Sequence, residues 1–89
     1  MPKEVAKTAL SLWDMHAEDS PDERSLMVAV TRGLIQFGLE KEEAAAAAVL
    51  VNLALNAHSD GSEMPVEVAS EPVYQAAMEE LRTGGWSFE

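Results

Sequence analysis

The chain has 89 residues, 47% of them hydrophobic, and its 16 acidic and 6 basic side chains give a formal net charge of −10 at pH 7. This length leaves room for one domain with one core, and the hydrophobic share is too high for a disordered chain. The lack of cysteine excludes disulfides and thiol chemistry, and the negative charge disfavours direct binding to nucleic acid or an anionic membrane.

The N-terminus lacks the features of a secretory signal. The longest apolar run, residues 44–51, is far shorter than the roughly 20 residues that a bilayer requires. We therefore expect a soluble, cytoplasmic protein that forms a single helical domain over residues 1–89.

Apolar periodicity predicts four helices, at about 2–17, 21–37, 40–57 and 71–83. The apolar stripe of the first helix comprises Val5, Ala9, Leu12, Trp13 and His16. The second is predicted to begin at Ser20-Pro21-Asp22-Glu23, with Ser20 as the N-cap, and to end at Gly38. Its core-facing residues are predicted to be Leu26, Met27, Val30, Leu34 and Phe37.

Gly33 within the second helix indicates close packing against a neighbouring helix. The third helix is apolar on almost every side, which is typical of a helix buried at the centre of its domain. After it, Met64, Val66 and Val68 alternate with Pro65 and Glu67, a pattern that predicts an extended segment.

The fourth helix carries an apolar stripe formed by Val73, Ala77 and Leu81, flanked by Tyr74 and Met78. Taken together, these patterns predict an all-α fold: a compact, four-helix bundle-like single domain with one short extended segment before the last helix.

Asn52 and Asn56 are four residues apart and therefore share one face of the third helix, together with Ala45, Ala48 and Ser59. One interpretation is a seam between two copies of the chain, with the amides fixing the register of a homodimer. The other is that this face is simply the solvent side of the helix.

Two large aromatic residues, Trp86 and Phe88, follow the glycine pair that closes the fourth helix. Large aromatic side chains are usually buried, which favours docking of this tail on the chain's own core. The alternative is that these residues anchor a partner protein, because tryptophan is enriched at interfaces.

Much of the acid excess lies at predicted helix starts, where negative charge favours the helix dipole. Two patches remain as candidate partner-binding surfaces, which are Asp14, Glu18 and Asp19 near the first turn and Asp60, Glu63 and Glu67 before the last helix. The alternative for both patches is that they form a solvated surface that only keeps a small protein soluble.

The segment Arg24-Ser25-Leu26, followed by residues 37–40, resembles the serine-bearing helix of acyl carrier proteins, which are also small, acidic and four-helical. That resemblance implies a carrier modified on the serine. In that family, however, an aspartate precedes the serine, where this chain has Arg24, and the long loop between the first two helices is missing here.

Other chemistry finds little support in the sequence. An EF-hand-like spacing from Asn56 to Glu67 has His58 at a ligand position and Pro65 inside the loop. No nucleophile has an evident base beside it, and glycine-rich phosphate loops are lacking. We expect no enzymatic activity, no metal and no cofactor.

These observations favour a small acidic helical protein-interaction module or regulator that binds a protein partner with a basic surface, with homodimerisation as an open possibility. The alternative is an acidic mimic of nucleic acid that inhibits a DNA- or RNA-binding protein, as phage-type inhibitors do, because an array of carboxylates imitates phosphates.

Overall fold

The computed structural model describes residues 1–20 and 22–86, and all regular secondary structure in these ranges is helical. The helices are α1 (Pro2–His16), α2 (Glu23–Phe37), α3 (Lys41–Asp60), α4 (Val66–Ala69) and α5 (Pro72–Thr83). α1 packs against α2, α3 and α5, and α3 packs against α2 and α5. The radius of gyration is 11.8 Å, close to the value of about 12 Å expected for a compact domain of this length. The predicted all-α, bundle-like fold is confirmed.

The start of α2 differs by two residues from the prediction. Asp22 is the N-cap, and its side chain accepts a hydrogen bond from the backbone N–H of Ser25. Ser20 directly follows the turn of residues 17–19, and Pro21 is outside the described residues. Aspartate and serine cap helices about equally well, so the hydrogen bond from Ser25, and not the residue type, identifies Asp22 as the cap.

The end of α2 is as predicted. Gly38 has a φ of 133°, and its backbone N–H donates to the carbonyls of Leu34 and Ile35. This conformation strongly favours glycine, because a side chain there is strained. Gly33 also has its predicted role, since a Cβ at that position would lie 2.6 Å from both Leu12 Cδ atoms.

The core is built largely from alanine. Of the 15 buried hydrophobic residues in the described part of the chain, 8 are alanines, so the helices approach one another closely and the larger side chains fill the remaining space. The fully buried larger side chains are Leu10, Val30, Leu34 and Val51.

Two predictions about the core were wrong. Phe37 is 50% exposed, because it is the last residue of α2 and projects beyond the packed part of that helix. α3 is not buried on every side: Val49, Ala45 and Ala46 are exposed. The two alanines are small and expose little apolar area, and Val49 is 45% exposed, so the apolar area of this face in contact with water is modest.

The non-helical segment before the last helix is present, but it is shorter than the alternating pattern indicated. Residues 62–65 have no regular structure, whereas Val66–Ala69 form the single turn α4. Pro65 precedes that turn with an extended backbone (φ −56°, ψ 154°), the non-helical conformation that is usual at an N-cap. Within the described ranges, no helix is both long and apolar enough to cross a bilayer.

Candidate functional site

An open groove of about 550 Å³ lies where the end of α1, the start of α2 and the second half of α3 meet. We call it the acidic groove. Its lining residues are Trp13, Asp14, Ala17, Glu18, Ser20, Asp22, Glu23, Leu26, Asn52, Leu55, Asn56 and Ser59.

The large apolar residues of the acidic groove are Trp13, Leu26 and Leu55. Trp13 is only 6% exposed and belongs to the hydrophobic core. Leu26 and Leu55 are partly buried and pack against that core. Each of the three helices thus contributes one large apolar side chain, and the bundle holds all three in place.

The rim of the acidic groove carries four exposed carboxylates. Asp14 and Glu18 are four residues apart near the end of α1, and Asp22 and Glu23 lie at the start of α2. None of the described lining residues is basic. Charges of one sign around a concave apolar surface focus the electrostatic potential, so the groove attracts positive charge.

Asp22 has a local role as well. Its Oδ1 accepts a hydrogen bond of 2.8 Å from the backbone N–H of Ser25. This bond, followed by contributions from the Ser25 side chain and the backbone N–H of Arg24, holds the pKa of Asp22 below its ordinary value of 3.8. The donors stabilise the ionised form, so this part of the rim stays negative to a lower pH than an unbonded aspartate would.

The two predicted amides belong to the same groove. Asn52 is half-buried and Asn56 is exposed, and both line the groove on the α3 side. Neither amide hydrogen-bonds to another described residue. Of their predicted companions, Ala45 and Ser59 are exposed, whereas Ala48 is buried in the core.

The other predicted acids lie apart from this groove. Asp19 is exposed in the turn after α1 but does not line it. Asp60 ends α3, Glu63 lies in the segment that follows, and Glu67 is in α4. This second patch is exposed and spans three different parts of the backbone.

The first tail aromatic docks on the chain itself. Trp86 is half-buried and packs against the core, and its Nε1–H donates a 3.3 Å hydrogen bond to Glu80 Oε1. Phe88, the other tail residue singled out from the sequence, lies outside the described residues.

Sequence reasoning missed the apolar part of the acidic groove and a second groove at the opposite end of α3. The second groove, about 490 Å³, is lined mainly by apolar side chains, including Val5, Leu39, Leu50 and Val73. No local pattern marks such residues as groove-lining, because they follow the same periodicity as core residues.

Among the described residues, no three histidine, aspartate or glutamate side chains converge to hold a metal ion. Comparison of the chain with family models, curated proteins and solved structures finds no match in any of the three.

Proposed function

We propose that this chain is a protein-interaction module that binds a basic amphipathic segment of a partner protein in the acidic groove. The observation that carries the proposal is the combination of apolar side chains from three helices with four rim carboxylates and no basic residue among the described lining. An amphipathic helix or strand has the complementary arrangement, with apolar side chains on one face and cations beside them.

The apolar part of the groove supports this function over a purely electrostatic one. A mimic of nucleic acid requires only exposed carboxylates, since its partner binds phosphates through charge. Leu26 and Leu55, which are only partly buried, add apolar surface whose burial by an apolar side chain of a ligand is favourable. The acidic groove therefore favours a ligand that carries both positive charge and apolar side chains.

The amides of Asn52 and Asn56 add polar groups that are available to a bound backbone. An extended or helical peptide end has unpaired N–H and C=O groups, and a primary amide both donates and accepts. A homodimer formed along these two residues would bring the carboxylate rims of two copies together. Light scattering at rising salt tests that possibility, and Asn52→Asp with Asn56→Asp is expected to weaken any such dimer.

The experiment uses two synthetic peptides of about four helical turns, made from the same lysines and leucines. One has an amphipathic order and the other a scrambled order. Binding is measured by fluorescence anisotropy at low and high salt, and the site is mapped by amide chemical shifts. The amphipathic peptide is expected to bind tighter than the scrambled one and to perturb Leu26, Leu55 and Asn52.

Two double variants with the same change in net charge distinguish the effect of the groove carboxylates on binding from the effect of the protein's overall negative charge. Asp14→Asn with Glu18→Gln removes two rim charges and is expected to weaken binding about fivefold and to reduce its salt dependence. Glu63→Gln with Glu67→Gln removes two charges outside the groove and is expected to change affinity less than twofold. Equal effects of the two pairs, or equal binding of the two peptides, would exclude a groove-specific function and favour the charge-only mimic.

A further inference from the structure

The outward face of α2 carries a second stripe, separate from the residues that α2 contributes to the core. Its members follow one another at spacings of four, three and four residues: Arg24, Val28, Thr31 and Ile35. Val28 is 47% exposed and Ile35 is 40% exposed. We call these four residues and the neighbouring Arg32 the outer stripe.

The spacing of the outer stripe is that of the contact line between two paired helices. In such a line, spacings of three and four residues alternate, which defines two kinds of contact position. Val28 and Ile35, both β-branched, occupy positions of the same kind. Thr31 lies between them, and its hydroxyl donates a 2.8 Å hydrogen bond to the Met27 carbonyl. That polar group is satisfied within α2, so the centre of the stripe makes no demand for a polar partner.

The charge of the outer stripe is opposite to that of the protein as a whole. Residues 24–39 contain no aspartate or glutamate, although the chain carries a net charge of −10. Arg24 and Arg32 are exposed, and neither guanidinium forms a hydrogen bond or ion pair with another described residue. Two of the six basic side chains are thus available to an acidic ligand.

We propose that the outer stripe docks an amphipathic helix of a partner protein whose apolar seam is flanked by acidic residues. The seam would pack against Val28, Thr31 and Ile35, and the acids would pair with the two arginines, as charges beside a helix contact line set partner choice. A second copy of this chain is a poorer occupant. Parallel pairing of two α2 helices brings Arg24 against Arg24, and the second copy adds a further net charge of −10.

The test uses two helical peptides with the same isoleucine and leucine seam, one flanked by glutamate and the other by lysine. The glutamate peptide is expected to bind saturably and to shift the amide resonances of Val28 and Ile35. The lysine peptide is expected to leave those resonances unchanged. Saturable binding that maps away from α2, or no binding of the glutamate peptide, overturns the proposal whatever happens at the acidic groove.

Charge reversal provides the matched control. Arg24→Glu with Arg32→Glu makes the chain more negative by four charges, as does Lys3→Glu with Lys7→Glu on α1. The first pair is expected to weaken the glutamate peptide about tenfold and the second less than about threefold, because only the first acts at contact distance. Equal losses overturn the proposal.

Val28→Ser tests the apolar part without a change of charge and keeps the proposal testable if the arginine variant fails to fold. It is expected to weaken the glutamate peptide while leaving the circular dichroism of the free chain unchanged. Sedimentation of the free chain completes the test: a dimer that Val28→Ser dissociates would show that a second copy covers the stripe, and would overturn the proposal.

Discussion

Replacing Gly33 by alanine sets two effects of similar size against each other. An alanine in a helix interior is favoured over glycine by about 1 kcal/mol. Its Cβ, however, would lie 2.6 Å from Leu12 Cδ1 and Cδ2 and 3.1 Å from Cγ, whereas carbon atoms normally approach to about 3.5 to 4.0 Å. Leu12 packs against the core, so relieving this overlap displaces a held side chain.

Overpacking of this kind costs about 1 to 3 kcal/mol. The overlap is expected to destabilise the fold by about 2 kcal/mol, and the higher helix propensity of alanine to stabilise it by about 1 kcal/mol. We therefore expect Gly33→Ala to lower the free energy of unfolding by about 1 kcal/mol. For a domain of this size, that loss corresponds to a fall in Tm of about 4 to 8 °C. Urea and thermal unfolding followed by circular dichroism measure both quantities.

The decisive comparison is the same substitution in a Leu12→Ala background. The Cδ atoms are then gone, so Gly33→Ala is expected to stabilise the protein by about 1 kcal/mol. The two backgrounds should therefore differ by about 2 kcal/mol, an interaction energy typical of residues in contact. If Gly33→Ala stabilises both backgrounds equally, Leu12 moves aside at no cost, and the argument that this glycine sets the approach of α1 to α2 is refuted.

Two further predictions concern α2. Because the Ser25 N–H holds the pKa of Asp22 below 3.8, the ionised cap stabilises the fold above that pH, and the stabilisation disappears as the pH falls through the lower folded-state value. Asp22→Asn keeps an acceptor that does not titrate, so its unfolding free energy is expected to vary less than that of the wild type below about pH 4; an unchanged pH profile would contradict this role. Leu34→Ala, at a fully buried position, is expected to cost about 3 kcal/mol, and Ile35→Ala, at an exposed one, less than about 1 kcal/mol. Similar losses in urea unfolding would contradict the orientation of α2.

The local sequence was sufficient to predict those features that depend on a single glycine. Gly38 ends α2 because its φ of 133° favours glycine, and the tight approach at Gly33 follows from the missing side chain. The cap of α2 was misassigned to Ser20 because two residue types that commonly cap helices occur within three positions, and sequence alone does not rank Asp22 above Ser20.

The sequence did not indicate how the candidate surfaces combine. The asparagines of α3 and the acids near the end of α1 were predicted as separate surfaces, yet Asn52, Asn56, Asp14 and Glu18 line one groove. Their proximity depends on how far α1 and α3 are shifted along each other. That shift is set by packing over the whole interface, which no local spacing encodes.

The alternation of apolar and other residues around Val66 predicted an extended backbone, whereas Val66 begins the helical turn α4. A period of two over so few residues fits a strand and a single helical turn almost equally well, and no second strand was available to stabilise the extended form. The resulting turn leaves Val66 highly exposed.

The alanine-rich core has a consequence for the entropy of folding. An alanine side chain has no rotamers to lose when it is buried, whereas a buried leucine or isoleucine loses about 0.5 to 1 kcal/mol of rotamer freedom. With 8 alanines among the 15 buried hydrophobic residues that the structure describes, this domain gains less from desolvation than one with a leucine-rich core but also loses less side-chain freedom. The entropy lost when the core forms is thus mainly that of the backbone. The chain also has few alternative side-chain arrangements of the core in which it could be trapped during folding.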